Sequence, residues 1–364
     1  MKQKRIGVGI IGANTTNWAA TAHIPALQLL PEFELIAVST TKMSSAKEAA
    51  EKFGAKYAFD NEYDLVNHPD VNLVVVAVKV PYHYRLVKAA IDAGKMIYCE
   101  WPLGNGTLEA EELAAMAAAK GLKTFVGLQA VSLPEITYLK AVIADGLIGE
   151  VLSSSILGSG GVWGPVVRDE GYLYLNDPKN GATMMDIAFA HTLAGCMHVL
   201  GKFKSISSTL AHRRKEAILL TDQSIVPQLT IDQVVISGIL NNDALVNVHY
   251  RAGMSAGINF HWEINGTKGD IVITGDLGQL QLTPVKVQWA KSGEALADLT
   301  IPAEYLSEDY PAQPVRGLYA AYKAVLRDIQ NQSNDVPDFN DGVTMHQLLD
   351  RIHESSLEGK RIDF

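Results

Sequence analysis

The first third of the chain alternates short runs of β-branched and other apolar residues with stretches whose apolar positions recur every three or four residues. The run 6–11 (IGVGII) predicts a strand buried on both faces. It is followed by a turn of Gly and small polar residues, 12–17 (GANTTN), and a helix-compatible stretch, 18–30, broken near Pro25. Further strands are predicted at 33–39 (FELIAVS), 57–59, 73–78 (LVVVAV), 96–99 and 124–128. Between them fall helices at 44–53, capped by Ser44 and closed by Gly54, at 62–67, at 84–93 before Gly94, and at 108–120 before Gly121. Strands of this kind alternating with glycine-terminated helices predict an α/β fold with a parallel, doubly wound sheet.

From Val151 onward the pattern changes to period-2 alternation, with strands predicted at 152–158, 233–240, 245–250, 258–264 and 270–274. Hairpin signals stand at Asp243 and at the GTKG turn 266–269. Helices are expected at 183–200, 314–330 and 342–357, and a long loop at about 214–230. This half reads as an α+β domain with a largely antiparallel sheet that carries helices on one face and leaves the other open, a natural dimer surface. The expected division is a dinucleotide-binding domain over 1–128 and an α+β substrate and oligomerisation domain over 129–364, with the C-terminal helix free to pack back toward the first.

The length of 364 residues suits two domains, each with its own core. A formal charge of −9, from 31 basic and 40 acidic residues, supplies no electrostatic footprint for direct nucleic-acid binding and points to a protein or small-molecule partner. Cys99 and Cys196 are the only cysteines and form no CxxC, so reduced thiols, a cytoplasmic setting and no zinc or other metal site are expected. The start MKQKR precedes no long apolar segment, and no stretch approaches the ~20 apolar residues that span a bilayer.

The turn after the first strand is of the kind that faces backbone N–H groups toward a pyrophosphate at a helix N-terminus. It departs from G-x-G-x-x-G, because Asn14 and Asn17 stand where the later glycines belong; the readings left open are a dinucleotide turn, with contacts from Gly12, Asn14, Thr15 and Thr16, or an ordinary strand-turn-helix. After the second strand come Ser39, Thr40, Thr41 and Lys42, hydroxyls and a cation without a carboxylate. Thr40 and Lys42 would accept a 2′-phosphate, which favours NADP over NAD; the alternative is a solvated loop. Lys79, past the strand 73–78, is either a cofactor contact or a surface lysine, and His83 opens the next helix. YCEWPL places Glu100 at a strand end and Trp101 before Pro102, where a cis bond is accessible, and Gln129 follows the last strand. In NGATMMDIAFAHT, Asp186 and His191 are five residues apart, about 140° on a regular helix, so they converge only if the segment begins irregularly. His191 is either an acid/base or a satisfied core histidine.

The ordered set of motifs resembles the glucose-fructose oxidoreductase, inositol dehydrogenase and MocA family of nicotinamide-dependent sugar and polyol oxidoreductases. The resemblance runs through the N-terminal turn, AGKMIYCEWPL, LIGEV, the His191 helix, GTKGDIVITGD and LLDRIHESSLEGKRI. VAVKVPYHY, the Glu100–Trp101 pair, SGGVWG and AFAHT are similar to the branch around the fungal galactose-regulon repressor and its prokaryotic relatives. The resemblance implies a Rossmann domain followed by an α+β domain whose open sheet forms the oligomer interface, a bound nicotinamide dinucleotide, and His191 as the acid/base. It also implies a competing role, since the repressor binds dinucleotide and acts on a transcriptional activator. Two departures bear on that choice. Trp101 occupies the place of the lysine that assists proton transfer in the family's Glu-Lys-Pro motif. The family acid, four residues before the histidine, is here Ile187, leaving Asp186 one place out of register and Lys79 as a substitute cation. Indole can donate a hydrogen bond but exchanges no proton near neutral pH.

Overall fold

The computed structural model describes residues 5–306 and 310–364, and the chain divides into two compact units. The basic start, residues 1–4, lies outside the described residues. One unit takes the chain up to Ser132 together with Pro311–His346; the other takes Leu133–Tyr310 and Gln347–Phe364.

The first unit is built on six strands, β1 (Ile6–Ile11), β2 (Phe33–Ser39), β3 (Tyr57–Phe59), β4 (Leu73–Val76), β5 (Met96–Glu100) and β6 (Thr124–Gly127). They pair in parallel in the order β3-β2-β1-β4-β5-β6, so the order reverses between β1 and β4. Val8, Ile10, Val74, Val75, Ile97 and Cys99 are fully buried, as expected for strands covered on both faces. Helices α1 (Ile24–Gln28), α2 (Met43–Phe53), α3 (Glu62–Val66), α4 (His83–Asp92) and α5 (Thr107–Ala119) connect the strands. The stretch expected to be helical from residue 18 begins instead with a π-helical turn, Ala19–His23, and Pro25 is tolerated because it falls in the first turn of α1. Ser44 does not cap α2. The N-cap is Lys42, whose carbonyl accepts from Thr40 Oγ1 (2.8 Å) and Ser45 Oγ (2.9 Å), which places Met43 inside the helix. Gly54 closes it in the left-handed region, at φ +75°.

The second unit contains α6 (Pro134–Ala144) and α7 (Ala190–Leu200), and α7 is also entered through a π-helical turn, Met185–Phe189. Its strands are β7 (Val151–Gly160), β8 (Val166–Val167), β9 (Phe203–Ala211), β10 (Glu216–Leu219), β11 (Ile225–Pro227), β12 (Gln233–Leu240), β13 (Leu245–Ala252), β14 (Phe260–Gly266), β15 (Gly269–Gly275), β16 (Val285–Lys291), β17 (Ala297–Asp298) and β18 (Ile362–Asp363). Nine of these form one sheet, β17-β16-β15-β14-β7-β13-β12-β9-β18, antiparallel except for the parallel pair β7–β13. Alternate residues such as Ile156, Ile236, Val248, Trp262 and Ile273 are buried, while Val235 and Leu245 are among the exposed positions of the other face. The expected loop at 214–230 is a β10–β11 hairpin whose first strand also pairs with β8. Its strands are only three and four residues long, too short for period-2 alternation to stand out.

Helices α8 (Val315–Asn331) and α9 (Phe339–Glu358) precede the terminal strand β18. The first α8 turn follows a cis Gln313–Pro314 bond. Among the described residues, no helix is long and apolar enough to cross a membrane.

Gly7 marks where β1 allows close approach: a Cβ there would lie 1.9 Å from the Asp70 carbonyl oxygen. Gly7→Ala is expected to destabilise the protein by about 1–3 kcal/mol through overpacking against backbone, measured as a lower denaturant midpoint.

Candidate functional site

In the first unit the candidate contacts collect at the carboxyl ends of the parallel strands, around the β1/β4 reversal where ligands of open α/β sheets bind. Gly12 turns the chain at φ +92°, and a Cβ would lie 2.4 Å from Val78 Cγ1 and 2.7 Å from the Ala77 carbonyl, so only glycine fits. Asn14 Oδ1 accepts from the backbone N–H groups of Thr16 (2.9 Å) and Asn17 (2.8 Å), and Asn17 Nδ2 donates to the Gly12 carbonyl. The asparagines thus do by side chain what glycines cannot, holding the turn closed while its N–H groups converge on one acceptor. The Thr16 and Asn17 N–H groups are thereby engaged within the turn, and what fits a dinucleotide here is Gly12, whose bare backbone at the strand end permits close approach. Lys52 of α2 donates to the Thr15 carbonyl (2.8 Å), adding a cation to the turn that the sequence did not single out.

Past β2, Thr40 is half-buried and Lys42 exposed at the start of α2. Lys79 is exposed, in extended backbone past β4. His83 is buried beneath these loops: Nδ1 lies 2.7 Å from the Pro102 carbonyl and Nε2 3.0 Å from the Val78 carbonyl. A neutral imidazole can donate to only one of them. Burial lowers its pKa, and the two carbonyls oppose that effect. The ring therefore braces the loops after β4 and β5 against each other. The Trp101–Pro102 bond it supports is cis.

Trp101 is buried, and its indole packs against His346 of α9 with ring centroids 4.6 Å apart. Glu100 is held from several elements. Its Oε1 accepts from Gln129 Nε2 (2.7 Å) and its Oε2 from Trp18 Nε1 (3.2 Å), while His23 Nε2 stands 3.2 Å from Oε1. Sequence reasoning missed Trp18 and His23, although both follow the turn closely. It also missed Tyr322, 299 residues from the His23 it contacts, for which no local signal exists.

In the second unit, Asp186 lies in the π-helical turn that precedes α7, the irregular beginning that convergence with His191 requires. Its carboxylate accepts from Thr183 N (2.9 Å) and Thr183 Oγ1 (2.7 Å), fixing that beginning. His191 sits in the first turn of α7, 3% exposed, with no hydrogen-bond partner at Nδ1. Burial lowers its pKa to about 3, so the ring is neutral. Next to it, Thr192 Oγ1 donates to the Gly278 carbonyl (2.6 Å). Among the described residues no cluster could hold a metal ion, and both cysteines are buried free thiols, Cys196 pushed up to about 12 by burial.

A strand order reversing at β1/β4 over a glycine turn, followed by a mostly antiparallel sheet, is the architecture of a Rossmann domain with an appended α+β domain. Residues 6–128 match the GFO/IDH/MocA oxidoreductase family, NAD-binding Rossmann fold, and 134–275 match the Gal80p C-terminal domain, so the chain joins a Rossmann domain of that family to a Gal80-like C-terminal domain. It is 29% identical over 301 residues to the galactose/lactose metabolism regulatory protein GAL80 of Kluyveromyces lactis, a match covering 76% of this chain and 65% of that protein's length. It is 27% identical over 370 residues to dehydrogenase aclE of Aspergillus oryzae, covering 98% of each. The solved super-repressor mutant of Gal80p, Gal80(S2), from Saccharomyces cerevisiae shares the fold at a TM-score of 0.90, with 23% identity over 99% of this chain and 98% of that one.

Burial also lowers the pKa of His198 and His346 to about 4 each. All three rings are neutral when folded and free to bind protons when unfolded, near pH 6.5. Stability is therefore unaffected above that pH and falls as pH drops from 6.5 toward 4, by on the order of 2 kcal/mol per ring at pH 5. The thermal midpoint is expected to be clearly lower at pH 5 than at pH 7.5; a flat profile would contradict the buried, neutral histidines.

Proposed function

We propose that the protein is an NAD(P)-dependent oxidoreductase of a sugar or polyol CH–OH group, with His191 as acid/base. The observation that carries this reading is His191 itself: a buried, neutral imidazole whose Nδ1 has no protein partner is in the form that accepts a proton. The whole-length similarity to a dehydrogenase supports it. The cofactor is held by the turn at Gly12, Asn14, Thr15 and Thr16 and by Thr40, Lys42, Lys79, Glu100, Trp101, Pro102 and Gln129, with His83 bracing the loops from below. A bound nicotinamide supplies the hydride acceptor or donor. The chain's own part is to orient that ring and to move the hydroxyl proton at His191, with Asp186 and Lys79 as the further candidate residues of their respective units. NADP is favoured by Thr40, Lys42 and the start of α2, where hydroxyls, a cation and the positive helix end meet with no carboxylate among residues 39–42. The open face of the nine-stranded sheet is the proposed homodimer surface, and the cytoplasm the proposed setting.

A second reading is favoured by Trp101. A buried indole packed on His346 has no proton to exchange where the family places a lysine, and the chain matches Gal80 proteins over most of its length. On that reading the protein is a regulator whose dinucleotide occupancy biases a protein interface.

Fluorescence titration should show binding of NADPH in preference to NADH. Lys42→Ala should weaken NADPH roughly tenfold and leave NADH nearly unchanged; a clear NADH preference of the unaltered protein would overturn the NADP assignment. In a sugar and polyol screen with the preferred cofactor, His191→Ala should lower kcat by about 10²-fold or more while cofactor Kd holds. Binding without turnover across the panel would support the regulatory reading instead.

A further inference from the structure

Behind Glu100 lies an array of His23, Tyr322, Tyr98 and Trp18. His23, in the π-helical turn after the glycine turn, is fully buried. Its Nδ1 lies 2.7 Å from Tyr322 Oη of α8, and its Nε2 lies 3.2 Å from Glu100 Oε1, off the line of an ideal hydrogen bond. Tyr98 and Trp18 enclose the imidazole edge-on, with ring centroids 5.8 and 6.4 Å away, and Tyr98 stacks obliquely on Tyr322 at 5.2 Å.

The proton positions follow from chemistry. An acceptor lone pair at Nε2 facing the carboxylate would be repulsive, so Nε2 carries the hydrogen and Nδ1 accepts from the Tyr322 hydroxyl. Burial pushes both Tyr98 and Tyr322 well above their ordinary pKa, so Tyr322 keeps the proton it donates. Three N–H groups, from Trp18, Gln129 and His23, then face one carboxylate. The Glu100 side chain is still 14% exposed. A carboxylate has about four acceptor sites, so a site remains for a ligand donor.

Resting on the dinucleotide reading given above, we propose that Tyr322 and His23 are positioning residues that orient the Glu100 carboxylate to accept a hydroxyl of the bound dinucleotide. The array connects the glycine-turn segment, β5, the residues after β6 and α8, so the acceptor is aimed by parts of the chain that only folding brings together. Replacing His23 by a residue without an N–H leaves a mostly buried carboxylate short of a donor and free to turn, whereas glutamine can return an N–H near the same place.

The experiment is a double-mutant cycle on dinucleotide affinity in the full chain, with thermal midpoints recorded for every variant. Glu100→Gln and His23→Phe should each weaken binding about tenfold or more, and together little more than either alone, because both remove the same aimed acceptor. His23→Gln should bind within about threefold of the unaltered protein even if its thermal midpoint is as low as that of His23→Phe. Tyr322→Phe should weaken binding by a smaller factor. Additive losses in the cycle, unchanged affinity in a folded His23→Phe, or failure of His23→Gln to recover binding would each overturn the positioning role. If the unaltered protein binds neither NADH nor NADPH, the dinucleotide reading itself fails, and with it the ligand assigned to Glu100. That result is distinct from an additive cycle in a protein that binds.

Discussion

A parallel sheet covered on both faces imposes one constraint from which the rest of the first unit follows: its strand ends are the places left for chemistry. The loops after β1, β2, β4, β5 and β6 all leave from the same side, so residues as distant in sequence as Gly12, Thr40, Lys79, Glu100 and Gln129 gather there. The same constraint selects small residues where backbones crowd. Gly7 meets the Asp70 carbonyl and Gly12 meets Val78 and Ala77.

Polar groups set among such a core have to find partners, and the partners give the site its rigidity. His83 is lodged between two carbonyls and joins the loops after β4 and β5; Glu100 is faced by three N–H groups from two separate segments. Asn14 bonds across its own turn and compensates for the absent glycines. In the second unit, Asp186 fixes the π-helical entry to α7, whereas His191 keeps an unpartnered nitrogen in a buried place.

The two proposed readings rest on different residues of one chain. On the proposed enzyme reading the proton acceptor is His191, whereas the regulatory reading starts from Trp101, an indole packed on His346. A dinucleotide turn is compatible with both roles, because binding a cofactor and turning it over require different atoms.

Local pattern determined most of the architecture. Alternation and glycine stops located β2 and β12 to the residue and placed α4, α5 and the β14–β15 hairpin within a few positions, because strand and helix periodicities are properties of neighbouring side chains. The same pattern brought out Glu100, Trp101 and His191 as polar or aromatic residues at strand ends or in an apolar helix. It failed where the determinant was not local. Ser44 looked like a cap, but the backbone entered α2 earlier; the residues 214–230 looked like a loop, but β10 is completed by pairing with β8 some fifty residues away. The donors around Glu100 come from Trp18, Gln129 and His23, with Tyr322 behind the imidazole. Such a convergence has no periodicity to read, since hydrogen-bond partners are chosen by proximity in space, and only the folded chain supplies that proximity.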